Sequence, residues 1–223
     1  PSCFGRCGYN GPHEAKGNNP MRPARVLGGF FLRFLVVFVL LMAPWPGVSE
    51  AYAAFFRAGG NFLFSTFGSE GRVRFLPFAD ADAGHDTEVV LINRRTGVQV
   101  SVAGGSRLQG FNPTAFVLAL ILATPIPWSR RWRAVVFGLI LVNAYVALRV
   151  MLFLLATFSG DSPLALFSPG PICGAILDFL YWVCVTSFAG WLIVPLPIWA
   201  LVSFRRSDWP TILQRPTPRS RRG

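Results

Sequence analysis

The sequence predicts a mainly α membrane protein: a bundle of four transmembrane helices with a small extracytoplasmic β-hairpin insertion and an interfacial amphipathic helix. Three observations predict it. Residues 110–150 hold two apolar runs, GFNPTAFVLALILATPIPW and AVVFGLILVNAYVALRV, on either side of the basic stretch SRRWR. Water gives no reason for consecutive segments greasy on every side, whereas a helix in a bilayer satisfies its own backbone hydrogen bonds. The composition agrees: 52% of residues are hydrophobic and 14% charged, against about a quarter charged in soluble domains, and the mean hydropathy is +0.47. The arginines are also sorted. Arg22, Arg25 and Arg33, then Arg130, Arg131 and Arg133, then Arg205, Arg206, Arg215, Arg219, Arg221 and Arg222 gather at the ends this topology places in the cytoplasm. Residues 46–111 instead balance six arginines (57, 72, 74, 94, 95, 107) against six acids (50, 70, 80, 82, 86, 88). That is the positive-inside pattern of a multi-pass bacterial inner-membrane protein with both termini cytoplasmic. The net charge of +11 therefore does not mark a nucleic-acid partner, which would need a basic face or stripe.

The elements follow in order. Residues 1–20 differ in composition from the rest and hold the only lysine, Lys16; they read as a disordered extension or as sequence upstream of a true start at Met21. Residues 21–47 form the first span, with Arg33 snorkelling to the cytoplasmic side and Pro44 and Pro46 ending the helix around Trp45. In residues 48–67, Tyr52, Phe55, Phe56, Gly59, Phe62, Leu63 and Phe67 recur at helical spacing, which predicts an amphipathic helix on the outer leaflet or packed on neighbouring spans. The period then changes to two. Val98, Val100 and Val102 alternate with Gln99 and Ser101, and a hairpin through residues 94–97 pairs them with the β-branched run 87–93. Residues 73–78 add an edge strand, since Pro77 cannot donate in a central ladder.

Residues 112–204 hold the remaining three spans. Asn112-Pro113 opens the second as N-cap and first helical residue, and Pro125 and Pro127 close it. The third covers residues 134–158. The fourth run, 174–204, is too long for one straight span and is kinked by Pro195 and Pro197. Residues 205–223 are a basic, disordered cytoplasmic tail.

Cofactor and metal chemistry find no pattern. Cys3 and Cys7 lack a second ligand pair for zinc. Asp80, Asp82 and Asp86 lack the spacing and closing Glu of a calcium loop. Cys184 reads as a small buried hydrophobe. The polar groups inside the apolar runs carry more information. Arg149 falls roughly 13 Å below the outer end of its span and Asp178 roughly 6–9 Å below the start of the next, at about 1.5 Å per residue. An ionisable group at membrane depth is a candidate functional residue. Arg149, Asp178, Asn112 and Tyr181 therefore form the candidate intramembrane site, with an Arg149–Asp178 pair at its centre. Cys173, at the outer mouth of the fourth run, is the candidate nucleophile, with Arg149 and His85 as the groups that would activate it.

The outer hairpin, the PW-plus-arginines loop, the span ending in VALRVMLF and the fourth span resemble the membrane core of exosortases and archaeosortases over residues 27–204. The resemblance implies a polytopic sorting enzyme whose outward-facing Cys, Arg and His cleave C-terminal sorting signals. Arg149 matches the family arginine. The cysteine position falls near residues 111–113 and the histidine position near Tyr181, and neither carries the catalytic residue. The NP opening the second span, the ATP-plus-arginines loop and PLPIW are most similar to exosortase H-associated membrane proteins. The expectation is a non-catalytic accessory, partnered by the lipid bilayer and by an exosortase with its sorting-signal substrates. The alternatives are a divergent thiol peptidase or transpeptidase using Cys173 with Arg149, and an unrelated envelope-export subunit.

Overall fold

The computed structural model of the chain describes residues 23–78, 85–160, 163–187 and 193–203. In chain order it builds α1 (Pro23–Met42) and α2 (Val48–Phe64), then β1 (Thr66–Phe67), β2 (Gly71–Pro77), β3 (Thr87–Asn93) and β4 (Gln99–Gly104). A π-helical turn (Arg107–Phe111) runs straight into α3 (Asn112–Ala123). Next come α4 (Trp128–Phe158), α5 (Pro171–Tyr181) with a second π-helical turn (Trp182–Thr186), and α6 (Pro195–Ser203).

This is not a four-span bundle. Among the described residues only α4, with 31 residues, is long and apolar enough to cross a membrane. The apolar stretch Leu27–Met42 of α1 and the apolar helices Arg107–Ala123 and Pro171–Thr186 are shorter, against the ~20 apolar residues a bilayer core requires. Backbone breaks explain the difference. Thr124 precedes Pro125 and turns extended at ψ 128°, because a following proline disfavours helical backbone. The fourth apolar run leaves the helix at Ser187, whose φ and ψ are −69° and 126°. Hydropathy counts apolar residues; it does not report whether their helix is continuous. The arginines at 130–133 are not a loop either, for they lie in the first turns of α4. Arg131 donates from Nη2 to the carbonyls of Thr124 and Ile126, both at 3.2 Å, and lies 5.7 Å from the Trp128 ring.

The β region is larger than a hairpin. Four antiparallel strands run in the order β1-β2-β3-β4. Val89 faces Val102 and Leu91 faces Val100 across β3 and β4. The connecting turn closes on Gly97 at φ 70°, a left-handed conformation suited to glycine. Val98 and Val102 pack on the core, but Val100 stays 39% exposed on the last strand. The expected edge strand, β2, lies between β1 and β3, yet β1 reaches only its first two residues. Beyond them the outer edge is held by Asn61 of α2. Its amide donates to the Phe75 carbonyl and accepts from the Phe75 N–H, both at 2.9 Å. Pro77 sits past this clamp, where no outer ladder asks for an N–H. Gly60 lets the helix approach, because a Cβ there would come within 2.8 Å of the Phe75 ring. The stripe expected along α2 is not the face that the protein buries: Tyr52, Phe56, Gly59 and Phe67 are half-buried and Phe55, Phe62 and Leu63 exposed, whereas Ala53, Gly60 and Phe64 are the buried residues.

Two apolar cores result, and α4 serves both. On the sheet side, Val73, Phe75, Val89 and Leu91 pack on Leu154 and Phe158, with Leu164 from the following segment. That segment is laced to the sheet. Asn93 donates to the Ala165 carbonyl at 3.2 Å, and Thr96 to the Pro163 carbonyl at 3.1 Å. On the helical side, Val117 and Ile121 of α3 pack on Ala134, Val142 and Tyr145 of α4 and Ile198 of α6. Gly138 allows this crossing, since a Cβ there would lie 2.6 Å from Ile121. The Trp199 indole N–H donates to the Thr124 hydroxyl at 2.9 Å and ties α6 to the end of α3.

Candidate functional site

Arg149 lies on α4 between Tyr145, the last α4 residue of the helical core, and Leu154, the first buried α4 residue of the sheet core. There a cavity of about 360 Å³ opens beneath the sheet, between β3, β4, the first π-helical turn, α4 and the end of the second π-helical turn. Its size is that of a small-ligand pocket, about 300–1,000 Å³. Val89, Val102, Val146, Val150 and Phe153 make apolar walls, and Arg149, His85 and Gln109 bring side-chain nitrogens. Val146, Val150 and Phe153 stand three or four residues from Arg149 or from each other, so one face of α4 lines the cavity.

Each polar group is positioned from outside the cavity. Asp86, next to His85, is engaged on both carboxylate oxygens. Oδ1 accepts from the Ser106 N–H at 2.8 Å and the Thr87 hydroxyl at 3.0 Å, and Oδ2 accepts from the Ser106 hydroxyl at 2.6 Å. The Asp86 carbonyl accepts from Arg57 at 3.0 Å. This knot fixes the start of β3 against the residues after β4, and so fixes His85 relative to Gln109. Gln109 is carried by the π-helical turn, where its N–H donates to the Gly105 carbonyl at 3.1 Å. Tyr52 secures the same turn from α2. Its ring meets the Phe111 ring edge to face with centres 5.4 Å apart, and its burial raises its pKa above the usual 10.0.

Arg149 itself is poorly satisfied. Nη2 donates to the Val185 carbonyl at a long 3.4 Å. Nε and Nη1 are buried and have no hydrogen-bond partner among the described residues. Its guanidinium carbon lies 6.0 Å from the Tyr145 ring centre. A guanidinium stays charged at neutral pH, and an uncompensated buried charge costs several kcal/mol. The fold therefore places a guanidinium, short of partners among the described residues, in the wall of a largely apolar cavity.

The expected intramembrane quartet does not assemble. Asp178 is exposed on α5, a helix with no buried residue, and it makes no pair with Arg149. Tyr181 is half-buried at the end of α5, and Asn112 sits where the π-helical turn becomes α3; neither lines the cavity. Asn112 is not an N-cap: its φ and ψ of −59° and −51° are helical, and its Oδ1 is buried without a hydrogen-bond partner among the described residues. Cys173 is exposed on the first turn of α5, outside the cavity. Cys184 is half-buried, and Tyr145 lies within electrostatic reach of both it and Arg149. Gln109 and the Val185 carbonyl went unseen in the sequence, and His85 was considered only beside Cys173. Nothing in spacing joins residues that come from a turn after a strand, a mid-helix position and a helix end.

Residues 1–20, Cys3, Cys7, Asp80, Asp82 and the 205–223 tail lie outside the described residues. Among the described residues no three His, Cys, Asp or Glu side chains gather as metal ligands. The described residues lining the cavity bring no hydroxyl or thiol side chain. The arrangement suits holding an anion whose body is apolar. No protein-family model, curated protein or solved structure matches this chain.

Proposed function

We propose that the protein is a non-catalytic, membrane-associated accessory of an exosortase-type C-terminal protein-sorting system, and that it works by holding an anionic group in the cavity beneath its sheet. The observation that carries this reading is Arg149, which lines that cavity and whose buried Nε and Nη1 have no hydrogen-bond partner among the described residues. A binding site tolerates such a group because the ligand completes it. Membrane association draws on the apolar surface. Only 28% of the most apolar stretch of α4 is buried within the protein. Phe31, Leu35 and Val39 of α1, Ile140 of α4 and Ile172 and Phe179 of α5 are more than half exposed. Surface of that kind fits lipid or a membrane partner better than water.

A peptidase would need a nucleophile beside the cation, and Cys173 is exposed on α5, outside the cavity. The test is a sorting assay in the native host, scoring surface delivery of a reporter that carries a C-terminal sorting signal. Deleting the chain should abolish delivery, Arg149→Gln should impair it, and Cys173→Ala should leave it at wild-type level. Normal delivery in the deletion strain would refute the accessory role. Loss of delivery in Cys173→Ala would refute the non-catalytic one.

A further inference from the structure

We infer that the cavity under the sheet is a binding site for a small monocarboxylate with a short apolar body; this rests on Arg149 being the ligand-holding group assigned above. Charge selects a monoanion. Among the described residues that line the cavity, Arg149 is the one guanidinium or ammonium group and none is a carboxylate. Asp86, the acid next to His85, is turned instead to Ser106 and Thr87. One added negative charge neutralises the site, whereas a phosphate dianion would leave an excess charge in an apolar enclosure. Donor geometry agrees. Arg149 lines the cavity and its buried Nε and Nη1 have no hydrogen-bond partner among the described residues, so the guanidinium has donor capacity left for a carboxylate, which has acceptor sites to spare for His85 and Gln109. The walls, including Val89, Val102 and Phe153, ask for hydrocarbon, and about 360 Å³ gives room for a small molecule only.

Two sources carry this chemistry: a free aliphatic acid, and the terminal residue of a short peptide. The experiment separates them. The full chain in lipid nanodiscs is titrated with octanoate or with N-acetyl-Ala-Leu, each ¹³C-labelled at its carboxyl carbon, and the carboxyl resonance is followed against empty nanodiscs. Octanol and the peptide amide serve as uncharged competitors. At least one acid should bind saturably, with its uncharged counterpart about tenfold weaker or worse. Arg149→Gln should weaken that acid by about tenfold or more, Arg149→Lys by less, and Gln109→Ala by a few-fold, with helix content unchanged by circular dichroism. Octanoate binding alone assigns an aliphatic acid, and peptide binding alone assigns a peptide terminus.

The wild-type comparison of acid with uncharged counterpart decides the matter even if a variant fails to fold. Equal affinity for the two, saturable binding of neither acid, or wild-type affinity in a folded Arg149→Gln protein overturns the proposal. If the acids do not bind but deletion still stops sorting, the ligand falls and the accessory role stands. If they bind and deletion leaves sorting intact, the reverse holds.

Discussion

The two halves of α4 solve the same packing problem with different materials. In the first half, glycine and medium-sized aliphatic residues mesh: Gly138 admits Ile121, and Val142 lies against α3. In the second half, Leu154 and Phe158 fill the space under a sheet, and Phe158 stacks on Phe67 with ring centres 5.1 Å apart. Arg149 falls where one material gives way to the other, and the cavity opens there. The lesson is that an unpaired charge is accommodated at the seam between two cores, where neither packs tightly enough to exclude it.

The largest expected effect tests whether the halves are separable. Phe158 is fully buried, so Phe158→Ala should cost about 3–5 kcal/mol of unfolding free energy. Hydrogen exchange should then rise in β2 and β3 while α3 stays protected. Equal loss of protection in both regions would show that the two cores open as one unit.

Smaller substitutions sharpen the contrast. Asn61→Ala strips partners from the Phe75 N–H and carbonyl at the edge of β2, and should cost about 1–3 kcal/mol, read as faster exchange in β2. Gly138→Ala pushes a methyl onto Ile121 and should cost about 1–3 kcal/mol, read as loss of protection in α3. If each variant disturbs the other region as much as its own, the two-material description is wrong.

Tyr52 probes the link between α2 and the helical region. Burial raises its pKa above 10.0, so the folded state holds the phenolic proton more tightly than the unfolded chain. The stability tied to it is complete below the unfolded value of about 10 and is lost as pH rises through the higher folded value. Tyr52→Phe keeps the ring contact with Phe111 and removes only the ionisable hydroxyl, so stability at neutral pH should change by less than about 1 kcal/mol. It should also flatten the alkaline fall in stability above about pH 10. An unchanged alkaline limb would remove Tyr52 from that role.

The two regions were also unequally legible in the sequence. The alternation of Val98, Val100 and Val102 and the β-branched run at 87–93 foretold the β3–β4 pairing, because a period of two has one simple structural meaning. The clamp by Asn61 and the close approach at Gly60 gave no such signal; both depend on where α2 lies in space. In the helical region, apolarity on all sides announced helices but not their lengths. Thr124 and Ser187, where the backbone turns extended, decided that. Of the candidate site, only Arg149 stood out, because charge inside an apolar run is visible in one dimension. Its surroundings were not: His85 and Gln109 reach it through the Asp86 knot and a π-helical turn. Asp178 looked like a partner at the right depth, but α5 leaves it exposed.

That last difference yields the smallest effect and a direct test. If Arg149 were paired with Asp178, removing the arginine would strand a buried carboxylate and destabilise the protein, and removing both would restore part of the loss. The structure argues the opposite. Arg149 has two buried nitrogens without hydrogen-bond partners among the described residues, and Asp178 is already exposed. Arg149→Met keeps most of the side-chain length and deletes an uncompensated charge, so it should leave the ligand-free protein as stable as wild type or raise its Tm. Asp178→Leu should add to it independently, with a coupling below about 0.5 kcal/mol. The same Arg149→Met protein should lose any stabilisation that wild type gains from a bound carboxylate. A Tm that falls by several degrees in Arg149→Met, together with rescue by Asp178→Leu, would place the two charges in one pair. It would then make the arginine a structural strut, not the floor of a binding site.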